Sequence, residues 1–308
     1  MPETPPFTAD PRPAAAELRE FLVRHEHVAV LTGAGCSTGS GIPDYRDDSG
    51  HWKHRQPMRF AEFTASAAAR QRYWARSFAG WRRIAGARPN AAHAALARLE
   101  SQGRVSAVIT QNVDGLHRRA GSNNVIDLHG VLDRVRCLDC AAVTRREALQ
   151  RRFETLNASW QSAPAALAPD GDARLADTDV LDFVIADCEN CGGVLKPDVV
   201  FFGESVPAER VAAATECVLA ANALLVVGSS LMVLSGFRFA RLANQAGLPV
   251  AILNRGVTRA DAIAARKLAG DCGELLAAAT GCHRVEPGFS PAQTSIRSFS
   301  AAADDRQC

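Results

Sequence analysis

The sequence predicts an α/β protein: a Rossmann-like, mostly parallel sheet with an inserted small zinc-binding module and a helical module. Three observations carry that prediction. Short, wholly apolar runs at 28–31, 105–109 and 223–227 alternate with helical stretches of ten or more residues. Strands buried on both faces read as unbroken apolar runs, and helices between them supply the crossovers of a parallel sheet. Several of these runs pass straight into Gly, Asn or Ser at the strand end where open parallel sheets bind ligands. One segment, 131–195, breaks the rhythm and carries a Cys-x-x-Cys pair near each end.

In chain order, 14–25 is expected as a helix with Leu18, Phe21 and Leu22 on one face, followed by a strand at 28–31. A polar loop runs to about Gln56. Helix follows at 66–84, with Trp74, Phe78 and Trp81 spaced i, i+4 and i+7, and again from Asn90 to about Glu100. Strands are expected at 105–109, 125–128, 199–202, 223–227 and 249–253. Helices are expected at 208–221, at 237–246 and from about Gly273. The apolar stretch 218–237 is interrupted by Asn222, Gly228, Ser229, Ser230, Ser235 and Gly236. It therefore reads as a buried strand entering a turn rather than a membrane span. The implied organisation is a discontinuous nucleotide-binding domain at 14–130 and 196–284 with a helical insertion at about 57–88. A zinc-binding module occupies 131–195, and flexible termini 1–13 and 285–308.

Composition excludes several functions. Thirty-five Lys and Arg against 33 Asp and Glu leave a formal charge of only +2, which argues against direct nucleic-acid binding. The arginines and aromatics between Arg70 and Arg83 read as a packed stripe with a solvated flank. Four prolines and two acidic residues precede Arg12, with no basic start and apolar block of a secretory leader, so a cytoplasmic protein is expected.

Nine cysteines are an odd number and a poor disulfide scaffold. Four are organised as Cys137-x-x-Cys140 and Cys188-x-x-Cys191, with 47 residues between the pairs. Two turn-borne thiolate pairs satisfy one tetrahedral Zn²⁺ and leave no coordination position for a substrate, so this metal is expected to be structural. Rubredoxin-like iron and unrelated redox dithiols are the alternatives.

The strand ends supply the candidate site. Gly33, Ala34, Gly35, Ser37 and Thr38 follow the first strand, where glycines let backbone N–H groups approach a phosphate and a helix N-terminus adds a favourable dipole. The run lacks a glycine at 38, so it is not the usual dinucleotide fingerprint, and no Walker motif is present. Asp44, Tyr45 and Arg46 come next, the two charges either pairing with each other or meeting a ligand. Gln111, Asn112, Val113 and Asp114 end the second strand, and His129 ends the third, placed as a general base. Gly228, Ser229 and Ser230, then Asn254, Arg255 and Gly256, repeat the strand-then-turn pattern. One elongated cofactor with two phosphates and two riboses fits such a row. ATP with a metal, or a purely structural sheet, remains open on these grounds.

Together, the run from Gly33 to Arg46, Gln111-Asn-Val-Asp-Gly-Leu-His117, His129-Gly130, the two Cys-x-x-Cys pairs and Phe202-Gly203-Glu204 resemble the sirtuin family over about residues 14–282. Pro43-Asp-Tyr-Arg46 and the tract 70–81 resemble class II sirtuins, a group with bacterial members and a mitochondrial lipoamidase and ADP-ribosyltransferase. Gly39 and the long gap between cysteine pairs depart from many members.

The resemblance implies an NAD⁺-dependent protein lysine deacylase that consumes NAD⁺ and transfers the acyl group to ADP-ribose. Mono-ADP-ribosyl transfer, lipoamidase activity and a non-catalytic NAD⁺-binding scaffold are the alternatives. It implies that 33–46 binds the phosphates and closes over the nicotinamide ribose, and that Gln111, Asn112 and Asp114 line the ribose and nicotinamide pocket. His129 becomes the general base. Gly228, Ser229, Asn254 and Gly256 hold the adenosine half, with Cys272 at the adenine. An acyl-lysine protein substrate adds as an extended strand between 199–204 and the chain after Ser230. Tyr73-x-x-Arg76 is similar to a pair that reads acidic acyl groups in class III members, but the surrounding tract favours acetyl or longer acyl chains.

Overall fold

The computed structural model describes residues 10–53, 56–160 and 165–281. The N-terminal segment 1–9, the C-terminal 282–308 with Cys282 and Cys308, and most of both expected flexible termini lie outside the described residues.

Helix α1 (Pro11–Arg24) begins three residues earlier than expected. Asp10 caps it by accepting from Arg12 N, and proline is tolerated in a first turn whose N–H groups have no helical partner. It leads into β1 (Val28–Thr32), all five residues buried. A short helix, a long one and one of 11 residues follow the polar loop as α2 (Phe60–Ala65), α3 (Ala67–Gly86) and α4 (Ala91–Ser101). The next elements are β2 (Val105–Thr110), α5 (Leu116–Arg119) and β3 (Val125–Asp127). After an interruption come α7 (Ala208–Leu219), β7 (Ala223–Val227), α8 (Leu234–Gln245), β8 (Val250–Leu253), β9 (Arg266–Leu268) and α9 (Cys272–Thr280).

The six strands form one parallel sheet in the order β3-β2-β1-β7-β8-β9. The chain builds outward from β1 to β3, then returns to the other side of β1 at β7. That reversal leaves a crevice at the carboxyl ends of β1 and β7, the topological switch point of the sheet. Period-two alternation divides the sheet's core. Val28, Val30, Leu225 and Val227 pack with Leu18 and Phe21 of α1, Leu96 of α4 and Leu275 of α9. Ala29, Leu31, Leu224 and Val226 pack with Ala214 and Val218 of α7 and Phe239 of α8.

The interruption holds β4 (Gly130–Cys137), β5 (Val143–Arg145), α6 (Arg146–Leu156) and β6 (Leu195–Val199), with strands ordered β5-β4-β6 and both pairings antiparallel. Its core is shared with α2 and α3: Phe63, Tyr73, Trp74, Phe153 and Phe183 form one buried cluster. Trp74 and Phe78 of the expected stripe both meet Phe153, at ring-centroid distances of 5.5 and 6.2 Å. The arginines of α3 are engaged within the chain, Arg72 with Glu62 and Arg82 with Glu154. Among the described residues no helix is long and apolar enough to cross a membrane.

Two expectations need correction. The strand expected at 199–202 ends at Val199, because the chain is turned by Gly203 (φ 83°) while Glu204 accepts from Phe201 N at 2.9 Å and pairs with Lys196 at 3.0 Å. The glycine-rich turn after β1 lies in the expected loop, but the helix N-terminus expected to add its dipole there is only two single 3-10 turns, 34–36 and 38–40. Its phosphate-binding capacity therefore rests on individual backbone N–H groups, with little helix dipole behind them.

The chain between the cysteine pairs folds back over α3: Ala173 N donates to Arg76 O at 2.9 Å, and Gln71 donates to Leu181 O and Phe183 O, both at 2.8 Å. Gly80 permits this contact, since a Cβ there would lie 2.1 Å from the Gly171 carbonyl oxygen. Gly→Ala in a helix interior ordinarily stabilises by up to about 1 kcal/mol. Gly80→Ala should instead destabilise by about 1–3 kcal/mol in urea unfolding, because the clash is with backbone. A gain in stability would show that the 171–173 segment does not seat on α3.

Candidate active site at the switch point

The crevice opens into a cavity of about 700 Å³. Its floor is set by backbone contact between the turns after β1 and β7. Gly33 N donates to Val227 O at 3.1 Å and Gly35 N to Gly228 O at 2.8 Å. A Cβ on Gly33 would come 2.7 Å from that of Ser229, and one on Gly228 (φ 60°) would come 2.3 Å from Cys36 N. Only glycine allows the two turns to lie this close.

Asn112, beyond β2, ties into the same floor, donating from Nδ2 to Gly33 O at 3.0 Å and to Ser37 Oγ at 2.9 Å. Ser37 passes its own proton toward Asp114 Oδ2 at 2.7 Å, and Leu116 N donates to Asp114 Oδ1 at 2.9 Å. Burial pushes the Asp114 carboxyl up, and these donors only partly offset it. Gln111 Nε2 donates to Ser229 Oγ at 2.8 Å, bridging the ends of β2 and β7.

His129 is half-buried at the cavity wall. Its Nδ1 lies 2.9 Å from Gln111 O and its Nε2 2.8 Å from Ser235 Oγ. A carbonyl only accepts, so Nδ1 carries the proton and Nε2 is the basic nitrogen, accepting from the serine hydroxyl. Burial lowers the His129 pKa from 6.5, against a smaller opposing effect of the Gln111 carbonyl.

Asp44 and Arg46 do not pair with each other. Asp44 meets Lys53 at 2.6 Å, while Arg46 donates to Gly50 O at 2.7 Å and lies over the Trp52 ring at 4.2 Å. Tyr45, Trp52 and Phe202 form an edge-to-face cluster with centroids 5.8–6.3 Å apart at the cavity mouth. At the opposite end, Asn254 Nδ2 donates to Gly256 O at 3.0 Å and Arg255 pairs with Asp271, the cap of α9, at 2.9 Å.

Every residue that the sequence nominated for the cofactor and the chemistry lines this one cavity: Ala34, Thr38, Val113, Ser230 and Cys272 complete the set described above. Ser235, Asp170 and Asp271 also line it and were missed. Ser235 sits on α8, where spacing in sequence gives no hint that it faces His129, 106 residues away.

The chain matches the Sir2 family model over residues 33–235. It belongs to the Sir2, or sirtuin, family. An NAD-dependent protein deacetylase 2 from Bradyrhizobium diazoefficiens is 53% identical over 264 residues, covering 86% of this chain and 97% of that protein. An NAD-dependent protein deacetylase from Xanthomonas campestris pv. campestris is 55% identical over 260 residues, covering 84% and 89%. Among solved structures, one described as "Structural Basis for the Mechanism and Regulation of Sir2 Enzymes" superposes with TM-score 0.69 at 32% identity, covering 88% of this chain and 97% of the other. One described as "Sir2-p53 peptide-NAD+" gives 0.67 at 31% identity, covering 84% and 94%.

The sirtuin frame asks for NAD⁺, and the residues present fit it. The glycine floor has no space for a Cβ on Gly33 or Gly228, and the polar side chains of Gln111, Asn112, His129, Ser229 and Asn254 line the same cavity. The Cys-x-x-Cys pairs lie away from that cavity. Their four thiols fall within 4.8 Å of one another, with Cys137–Cys191 and Cys140–Cys188 sulfurs 3.5 and 3.8 Å apart. Sulfurs sharing one tetrahedral Zn²⁺ at about 2.3 Å stand about 3.8 Å apart, so the set fits zinc. Gly193 lets the second knuckle close on the first, where Asp139 accepts from Val194 N at 2.7 Å. With zinc bound, the closed sulfur shell anchors β4 against β6. Cys188→Ser should lower bound zinc from one to near zero per chain and drop the melting temperature by several degrees. Undiminished zinc by elemental analysis would refute the assignment.

Proposed function

We propose that this sirtuin is an NAD⁺-dependent protein lysine deacylase of class II that prefers neutral acyl groups. The observation that carries the reading is His129, whose basic Nε2 faces the same cavity as the Asn112–Ser37–Asp114 relay and the glycine floor. The deacetylase relatives support it, as does the pairing of a peptide with NAD⁺ in a Sir2 structure of the same fold. Pro43-Asp44-Tyr45-Arg46 and the tract 70–81 support class II. The free thiols of the described residues suit the reducing cytoplasm.

In this reading Gly33, Ala34, Gly35 and Thr38, with Gly228, Ser229 and Ser230, hold the pyrophosphate through backbone N–H groups and hydroxyls. Asn254, Arg255, Gly256 and Cys272 hold the adenosine half. Gln111, Asn112, Val113 and Asp114 orient the other ribose, and Asp44, Tyr45 and Arg46 close over it. Bound NAD⁺ supplies a ribose carbon that gives up nicotinamide to a positioned acyl-lysine oxygen. His129 Nε2 takes the proton of a ribose hydroxyl, and Ser235 holds that nitrogen in place until the hydroxyl displaces it. The aromatic cluster of Tyr45, Trp52 and Phe202 excludes water at the mouth.

Residues 200–204, which leave the sheet at Val199, offer backbone to an added substrate strand. The acyl end then points toward Tyr73 and Asp170, which line both the main cavity and an adjoining one of about 370 Å³. Arg76 lines only the adjoining cavity, beside half-buried Asp170 and buried Asp172. Burial pushes both carboxyls up, and Asp170 pushes Asp172 further, despite the cations of Arg76 and of Arg174 or Arg146. With Glu62 in the same lining, an acidic acyl group would meet three carboxyl groups against Arg76 and Arg174 and is disfavoured.

The test is a panel of acetyl-, butyryl-, succinyl-, glutaryl- and lipoyl-lysine peptides with NAD⁺, products read by mass spectrometry. Neutral acyl groups should leave as O-acyl-ADP-ribose, at least about tenfold faster than acidic ones, and His129→Ala should lose at least about a hundredfold in rate. Nicotinamide release with every peptide intact would point instead to ADP-ribosyl transfer or NAD⁺ hydrolysis. The base must be neutral, and burial holds His129 below its ordinary 6.5. Activity should therefore fall only as pH drops through that lowered value, placing the acid limb of kcat/KM below pH 6.5. A limb at or above 6.5 would remove His129 from the role.

A further inference from the structure

Behind the cavity floor, three side chains with no part in the proposed chemistry converge. Cys36 lies in the turn after β1, His93 on the first turn of α4 and His117 in α5, with relative exposures of 1%, 0% and 2%. The Cys36 sulfur and one nitrogen from each ring fall within 4.8 Å of one another. The two rings have centroids 4.7 Å apart and planes tilted by 54°.

Each ring has one nitrogen engaged and one left over. His93 Nδ1 lies 3.0 Å from Asn90 Oδ1, closer than the 3.3 Å contact from Asn90 N. The Asn90 amide is oriented by its own bonds, Nδ2 to Cys36 O at 2.8 Å and Oδ1 from Ala92 N at 2.9 Å. Nδ1 thus has a donor, Asn90 N, and an acceptor, Asn90 Oδ1, beside it, so either tautomer is engaged there and Nε2 is the ring atom left over. His117 Nε2 lies 2.9 Å from Thr32 Oγ1, whose hydrogen goes to Thr110 Oγ1 at 2.8 Å, so His117 donates from Nε2. The remaining atoms, His93 Nε2 and His117 Nδ1, are buried without a hydrogen-bond partner. Buried polar atoms are seldom left unpartnered, and two such imidazole nitrogens beside a thiol are a metal donor set.

We propose that Cys36, His93 and His117 form a second metal site, which takes monovalent copper in a three-donor shell of one sulfur and two nitrogens. Donor number and charge select that ion. Among the described residues no further Cys, His, Asp or Glu completes the cluster, whereas structural zinc takes four ligands. Thiolate donors favour the soft monovalent ion. One thiolate cancels one positive charge, so the complex is neutral, while a divalent ion leaves a net charge in a dry interior. Binding breaks the Cys36 S–H bond, forms S–Cu and releases the proton to solvent, with no change of oxidation state. Asn90 and Thr32 orient the ligands from behind, as outer partners do in established metal sites. Thr110, which Thr32 bonds, also accepts from Asn112 N at 3.1 Å, so the site is wired to the cavity floor.

The experiment is an anaerobic titration of the zinc-loaded full-length protein with Cu(I) against a chromophoric Cu(I) chelator, with zinc and copper counted and copper-edge X-ray absorption recorded. One copper should be gained with no loss of zinc, in a shell of one sulfur and two nitrogens. Cys36→Ala and His93→Gln should each keep zinc and weaken copper binding by at least about tenfold. His93→Gln retains a side chain able to cap α4, which covers a Cys36→Ala protein that fails to fold. Copper that displaces zinc one for one, an all-sulfur shell, equal affinity in both variants, or no retention against the chelator would each overturn the proposal.

Discussion

The closest constraint in this protein is the meeting of two backbone turns, one after β1 and one after β7, across the crevice where the sheet reverses direction. Gly33 and Gly35 hydrogen-bond to Val227 and Gly228, and neither turn has space for a Cβ on the facing glycines. That contact depends on β1 and β7 pairing in register from Val28–Ala223 to Thr32–Val227. The register is held in turn by strands buried on both faces between α1, α4 and α9 on one side and α7 and α8 on the other. Any slip would carry apolar side chains to the wrong layer and part the turns.

Polar groups are built outward from this floor. Asn112, Ser37 and Asp114 form a chain of bonds that fixes the glycine turn to the end of β2, while Gln111 fixes β2 to β7 and orients His129 through its carbonyl. Each member satisfies another, which is how a polar network survives in a partly dry crevice. His129 is accordingly single-tautomer, with its basic nitrogen held toward the cavity by Ser235. Thr32 and Thr110 likewise set the tautomer of buried His117, and Asn90 engages Nδ1 of buried His93.

The parallel sheet was legible at β1, β2, β7 and β8, mostly apolar runs that stop at Gly, Gln or Asn, whereas β9, with exposed Arg266 and Lys267, carries no such signal. The cavity residues were legible for the same reason: Gly33, Gln111, His129, Gly228 and Asn254 all sit where a strand stops. Motif order then narrowed the family. Details decided by side-chain partners that no periodicity or motif specifies were not legible. The strand expected at 199–202 stops at Val199 because Glu204 and Lys196 turn the chain, and the turn after β1 does not become a helix although its glycines precede a polar run. Asp44 and Arg46 found Lys53 and Trp52 instead of each other.

By itself the sequence determined the alternation of strand and helix, the stations along the carboxyl edge and the two cysteine knuckles, since burial pattern, turn chemistry and ligand spacing are local properties. Tertiary structure decided what those stations touch. It placed Ser235 on His129 and Asp170 beside Arg76, and it brought Cys36, His93 and His117 together from three separate elements. Such contacts depend on crossovers of the chain, and no spacing along it encodes the distance between residues that meet only because the sheet reverses between β1 and β7.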